Sequence, residues 1–112
     1  MAKGGAGGFS GGGGELMRQA ARMQRKLDEV RKGLKDREVT ASGTGDRVKV
    51  TVTCEGRVRG IVVDPELVKS EALELVLDAV VATVNSALEL ADKTAQGEFD
   101  KVTGGLKIPG VV

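Results

Sequence analysis

The stretch LMRQAARMQRKLDEVRKGL, residues 16–34, restricts the possible folds of this chain more than any other. Apolar residues recur along it in steps that alternate between four and three, which is the spacing of a helix packed against a second helix. The residues of this seam are Leu16, Ala20, Met23, Leu27, Val30 and Leu34. We therefore predict a helix from about Glu15 to Arg37 that contacts a partner helix along one stripe.

Glycine dominates the sequence before this helix. Residues 1–14 include eight glycines and show no hydrophobic period, so we predict a flexible tail there. Gly14 is the best available N-cap. Glu15 in the first turn and Lys35 and Arg37 in the last turn favour the helix through its dipole.

A meander of three short strands is predicted to follow the helix. The strand segments are EVTAS, RVKVTVTCEG and RVRGIVVD, separated by turns at SGTGD and at Glu55-Gly56. In the second segment three valines and Cys54 alternate with polar residues, which is typical of an antiparallel strand with one buried face. Residues 61–63 are apolar on both sides of the third strand, which predicts that its end is covered on both faces.

Two helix-start signals come after the meander. Asp64 and Pro65 have the character of an N-cap and a first helical residue, so they predict a short helix. Ser70 is predicted to cap a long helix over residues 71–101, whose broad apolar stripe would pack on the sheet and on another helix. Residues 104–112 are predicted to be an irregular tail. The fold class is thus α+β, with a single domain over residues 15–103.

One chain leaves two of these predicted surfaces without a partner. The seam of the first helix has only the long second helix to contact, and a three-stranded sheet has two open edges, which proteins normally pair, cover or charge. A homodimer with strands and helices meeting across a two-fold axis would cover both. Asn85, on the mostly apolar second helix, is hypothesised to form a hydrogen bond at a helix interface.

Histidine and cysteine, which commonly serve in acid–base catalysis and metal binding, are absent or nearly absent. The chain has no histidine, and its single cysteine can form neither an intrachain disulfide nor a zinc site. Cys54 is in phase with three valines and is interpreted as a small core residue. We therefore expect no catalysis, no cofactor, no metal and no small-molecule substrate. No apolar run is long and clean enough to span a bilayer and no signal peptide is evident, so we expect a cytoplasmic protein without a membrane partner.

Charge is distributed unevenly along the chain. Residues 1–37 hold nine basic and four acidic side chains, whereas residues 38–112 hold eight basic and twelve acidic ones. In the helical register Arg18, Arg25 and Lys32 share the outermost ridge, Arg22 and Lys35 flank it, and Lys26 lies nearer the seam. Two interpretations stay open at this point: a solvated coiled-coil face, or a surface for nucleic acid. Because aromatics are 2% of the residues, without Trp or Tyr, base stacking is weak and duplex is favoured over single strands.

Together the segments resemble a known family. The order runs from a Gly-rich start through LMRQAARMQRKLDEV and VTASGTGDRVKVTVTCEGRVRGIVVDPELV to VVATVNSALELA and GGLKIPG. Over residues 15–112 it resembles the bacterial YbaB/EbfC family of nucleoid-associated DNA-binding proteins. The resemblance implies a tweezer-like homodimer with a shared β-core and helical arms, here residues 16–37 joined by part of the helix 71–101. It also implies low sequence preference for double-stranded DNA.

The same resemblance implies which residues contact DNA. The residues that it implies are five basic residues of the matching helix, Arg18, Arg22, Arg25, Lys26 and Lys32, and we add Lys35 because it flanks the same cationic ridge. The function predicted is that of a cytoplasmic, nucleoid-associated homodimer that binds duplex DNA mainly through phosphate contacts, with a role in nucleoid organisation or gene regulation. The alternative is a non-catalytic module whose helical arms bind a protein or an RNA–protein assembly.

Overall fold

The computed structural model describes residues 12–104 of the 112-residue chain. Its elements in chain order are α1 (Gly12–Asp36), β1 (Glu38–Gly43), β2 (Val48–Thr53), β3 (Val58–Val63), α2 (Pro65–Ser70) and α3 (Leu73–Thr103). The three strands form one antiparallel sheet in the order β1-β2-β3. The predicted α+β class, with a long helix at each end and a three-stranded meander between them, is confirmed.

The core lies between the sheet and one side of α3. Val48, Val50 and Val52 of β2 are completely buried, as their alternation predicted, and they belong to one cluster with apolar residues of α2 and α3. Thr53 departs from the alternation because it is only 1% exposed. Its hydroxyl accepts a hydrogen bond from the backbone N–H of Arg57 at 3.2 Å, so the buried oxygen is satisfied within the β2–β3 turn.

A second, smaller core joins the two long helices. Leu27 and Leu34 of α1 are buried together with Cys54 and with Phe99 of α3. The earlier seam residue Leu16, by contrast, is 66% exposed. Only the second half of the seam is therefore buried within the chain. The molecule is elongated, with extents of 78 × 21 × 18 Å.

Both long helices begin at residues that differ from the prediction. α1 includes Gly12–Gly14, so Gly14 is inside the helix and is not its N-cap, and these three residues are not part of a tail. Glycine costs about 1 kcal/mol relative to alanine inside a helix, but it does not interrupt the backbone hydrogen bonds as proline does. The rest of the predicted tails, residues 1–11 and 105–112, lies outside the described residues.

The start of α3 corrects a second prediction. Asp64 and Pro65 are the N-cap and first residue of α2, as predicted, but Ser70 ends α2 instead of capping α3. The backbone N–H of Glu71 donates to Leu67 O at 3.0 Å, which closes α2 and leaves residues 71–72 extended before α3 begins. The N-cap of α3 is therefore Ala72, which makes no side-chain capping bond.

The third strand is not covered as its sequence predicted. Ile61 and Val62 are 46% and 65% exposed in this chain, so the prediction of burial on both faces is wrong for the single chain. The reason is the path of α3, which packs over β1 and β2 and leaves β3 open at the sheet edge.

Candidate nucleic-acid interface

The candidate interface is the cationic surface of α1. All six predicted DNA-contacting residues lie on this helix, and all six are exposed. The helix has 25 residues and is about 37 Å long at the standard rise per residue. Between Glu15 and Lys26 every side chain is exposed in the described structure, and we call this segment the free half of α1.

One carboxylate competes for two of the predicted cations near the start of α1. Glu15 contacts Arg18, with 3.1 Å between Oε1 and Nη2, and Arg22, with 3.8 Å between Oε2 and Nη2. All three side chains are more than half exposed, and such ion pairs contribute only about 0–1 kcal/mol. A phosphate group could therefore replace Glu15 at low cost.

The other four predicted cations are not neutralised within residues 12–104. No salt bridge among the described residues involves Arg25, Lys26, Lys32 or Lys35. Two acids of the second half of α1 contact other cations: Asp28 pairs with Arg31 at 3.0 Å, and Asp36 is 3.9 Å from Arg59 on β3. The third, Glu29, is exposed and forms no salt bridge among residues 12–104. The surface of α1 thus keeps unpaired positive charge along most of its length.

Two contacts join α1 and the residue that follows it to α3, and sequence reasoning missed both. The Arg31 guanidinium lies 5.7 Å from the centroid of the Phe99 ring, a cation–π contact. Arg37 Nη1 is 3.2 Å from Glu98 Oε2, which also accepts a hydrogen bond from Lys101 at 2.9 Å. The hydrogen bonds from Lys101 and then Arg37 lower the pKa of Glu98 below its ordinary value of 4.5. Phe99, an aromatic on an otherwise aliphatic stripe, was the one available sequence signal.

Cys54 is placed in the small core at the base of α1. Burial raises the pKa of its thiol, an effect opposed by the nearby charge of Arg37 and reinforced by that of Glu98. A protonated, buried thiol is a poor nucleophile and a poor metal ligand, which fits a packing role. Within residues 12–104, no group of three or more acidic or cysteine side chains is positioned to hold a metal ion. In the same range, neither long helix has an apolar stretch sufficient to cross a bilayer.

Large apolar side chains are also exposed on other elements. They lie on β3, α2 and the first turns of α3 and are 46–66% exposed: Val58, Ile61, Val62, Val68, Leu73, Leu75, Leu77 and Val81. We call these residues the apolar set. Asn85 follows Val81 by one helical turn and is exposed as well, so no described helix covers it and its helix interface stays a prediction.

Comparison with known proteins identifies the family. A sequence model of the YbaB/EbfC DNA-binding family matches residues 10–106. The chain belongs to this family. Its matched region contains all of α1, the sheet and α3, so both the cationic helix and the apolar set are parts of the family domain.

Curated relatives are similar over nearly the whole chain. A nucleoid-associated protein of Acetivibrio thermocellus is 41% identical over 112 residues, covering 99% of each chain. A nucleoid-associated protein of Clostridium acetobutylicum is 36% identical over 112 residues, covering 99% of this chain and all of that one. The crystal structure of the uncharacterized protein HP0035 from Helicobacter pylori has a TM-score of 0.65 at 16% identity, over 80% of this chain and 94% of that one, which shows a common fold.

Proposed function

We propose that this protein is a nucleoid-associated protein of the cytoplasm that binds double-stranded DNA as a homodimer. The observation that carries the proposal is the row of unpaired cations, Arg25, Lys32 and Lys35, on an exposed helix of a DNA-binding family domain. Its role would be to organise the nucleoid or to regulate genes. The family is described by DNA binding and not by a reaction, which supports a non-enzymatic role.

Binding is proposed to rest on contacts with phosphates. The cations are long, exposed side chains on one helix, and they would neutralise phosphates and release condensed counterions. Duplex is the favoured ligand because Phe99, the only aromatic residue in the described part of the chain, is buried and cannot stack on bases. Because α1 has no described elements that form a helix-turn-helix or a zinc finger around it, contacts to base edges are not expected to dominate. Sequence specificity would accordingly be low.

The dimer is proposed from the apolar set. Eight large apolar residues that are 46–66% exposed are costly in water, and three of them, Val58, Ile61 and Val62, lie on β3, an open sheet edge. A second copy that pairs or packs there would bury them and would present α1 twice. Sedimentation of the wild-type protein should show a dimer, and Ile61→Asp with Leu77→Asp should give a monomer. A wild-type monomer would refute this part of the proposal.

The DNA contact is tested by a salt titration. Affinity for three unrelated duplexes of equal length should be similar, and its logarithm should fall steeply with the logarithm of salt concentration. Changing Arg25 and Lys32 to Gln should make this slope shallower by about 0.9 for each phosphate that is no longer neutralised. The matched control is Arg47→Gln with Lys49→Gln. It removes the same charge at the start of β2, the strand end opposite the β2–β3 hairpin, and should leave the salt slope unchanged. Equal behaviour of the two double variants would remove α1 from the mechanism.

A protein-binding role is the second candidate. The free half of α1 exposes Leu16 and Met17 beside its cations, as an amphipathic helix that docks on another protein does. This function is selected if the wild-type protein binds none of the duplexes near physiological salt while remaining folded and dimeric.

A further inference from the structure

We infer that the phosphate-binding surface continues beyond the end of α1 onto the β2–β3 hairpin, with Arg57 as its anchor. The inference rests on the proposed function, since it extends the same contact with the DNA backbone. It adds a residue of the β2–β3 turn to an interface that sequence reasoning confined to the helix.

The first observation is a shared cavity at the base of α1. Lys35 of α1 and Arg57 and Arg59 of the hairpin line one open cavity of about 470 Å³. Its remaining lining residues are Asp36, Thr53, Glu55 and Val58. Three cations therefore converge there from two elements that are about twenty residues apart in the chain, and two carboxylates lie among them.

The second observation is how the nearby acids are arranged. Arg59 contacts both Asp36, at 3.9 Å, and Glu38, at 3.7 Å. Lys35 and Arg57 take part in no salt bridge among residues 12–104. Glu55 is the remaining acid of the cavity, and it reduces the positive charge without pairing with either cation. Arg59 thus occupies two carboxylates that would otherwise compete with a phosphate for Lys35 and Arg57.

The third observation is the rigid attachment of Arg57. Its backbone O accepts a hydrogen bond from the N–H of Thr53 at 2.8 Å, and its own N–H donates to the Thr53 hydroxyl at 3.2 Å. Thr53 is buried, so the backbone of Arg57 is held to the core while its side chain is exposed. A cation fixed in this way loses less conformational freedom on binding than one at a free helix end.

The unpaired cations of α1 lead toward this cavity. Arg25 and Lys32 are seven residues apart on one ridge, and Lys35 follows after one more turn, about 15 Å from Arg25 along the helix. Around a straight helix Lys32 lies about 20° and Lys35 about 80° from Arg25, in the same direction, so the row turns toward one side. Since Lys35 and Arg57 line the same cavity, the last cation of the row lies beside the hairpin.

The experiment compares Arg57→Gln with Arg47→Gln in the full-length protein. Both remove one exposed arginine from a turn that flanks β2, but Arg47 lies at the opposite end of the strand. At 0.1 M salt, Arg57→Gln should weaken binding to a duplex by about fivefold or more, because a contact with a salt slope of 0.9 is worth about eightfold at that concentration. The slope should decrease by about 0.9 for each phosphate left without its cation, whereas Arg47→Gln should leave affinity and slope unchanged.

A second variant removes a negative charge from the same cavity. Glu55→Gln removes a competing carboxylate and should tighten binding by about two- to fivefold, the size of an exposed charge contact. Unchanged binding by Arg57→Gln, or equal weakening by Arg57→Gln and Arg47→Gln, would overturn the inference. If the Arg25 and Lys32 variant weakens binding while Arg57→Gln does not, only this extension fails. If the wild-type protein binds no duplex, the proposed function fails with it.

Discussion

Gly43 at the end of β1 lies directly against Thr83 of α3, so closely that a Cβ at Gly43 would be 2.5 Å from Thr83 Oγ1. The threonine is itself held, because its hydroxyl donates to Ala79 O at 2.7 Å. Glycine at this position therefore lets the sheet and α3 approach each other closely. The unit formed by the sheet and α3 in turn supports α1.

Replacing Gly43 by alanine should destabilise the protein by about 1–3 kcal/mol through overpacking. Urea unfolding of Gly43→Ala should show a lower midpoint. The same change made in a Thr83→Ala background should cost clearly less, because the crowded oxygen is gone. An equal cost in both backgrounds would show that the close approach is not the cause.

The two halves of the α1 seam should respond differently to truncation. Leu27 is 4% exposed and packs in the small core, so Leu27→Ala should cost about 2–5 kcal/mol of unfolding free energy. Leu16→Ala removes the same side chain from an exposed position and should cost less than about 0.5 kcal/mol. Urea unfolding measures both. A large cost at Leu16 would instead reveal that another segment or another molecule covers the free half of α1 in solution.

Glu15 should weaken DNA binding in the wild-type protein. Because its carboxylate contacts Arg18 and Arg22, Glu15→Gln should tighten duplex binding by about two- to fivefold at low salt, and the gain should shrink as salt rises. Glu66→Gln on α2 changes the net charge equally, away from α1, and serves as the control in the same titration. Identical gains for both variants would attribute the effect to net charge alone.

The contact of Glu98 with Lys101 and Arg37 should appear in the acid stability of the protein. Because the pKa of Glu98 is lower in the folded chain than its ordinary 4.5, its ionised form stabilises the fold above that pH, and this contribution is lost as the pH falls through the folded-state pKa. Glu98→Gln should therefore be less stable than wild type at neutral pH, with a difference that shrinks below about pH 4.5. Urea unfolding at a series of pH values measures this. A difference that stays constant with pH would contradict the assignment.

The sequence predicted the fold class well because its signals are local. The seam of steps four and three specified α1, the alternation of three valines specified β2, and Asp64-Pro65 specified the start of α2. The errors at the starts of the two long helices have separate local causes. Serine is a favourable N-cap residue, but Ser70 is the last residue of α2 and therefore does not cap α3. Gly14 has no side chain to mark a boundary, so the helix continues through it.

The candidate site could be predicted only in part. The cations of α1 follow from composition and helical register, but their neutralisation depends on which acids approach them. Glu15 contacts Arg18 and Arg22 within one helix. Asp36 of α1, by contrast, contacts Arg59 of β3 and therefore does not pair with the neighbouring Lys35. Arg57 gave no signal in the sequence because it precedes an ordinary strand, and only the packing of the hairpin against α1 brings it beside Lys35.

By itself, the sequence determined the elements of this protein, their order and the excess of positive charge on the first helix, because hydrophobic period, turn residues and charge act over a few neighbouring residues. The tertiary structure decided which half of the seam is buried, that β3 stays uncovered and which cations remain unpaired. Those properties depend on contacts between residues far apart in the chain, such as Arg37 with Glu98 and Lys35 with the β2–β3 hairpin, and no local pattern encodes such distances.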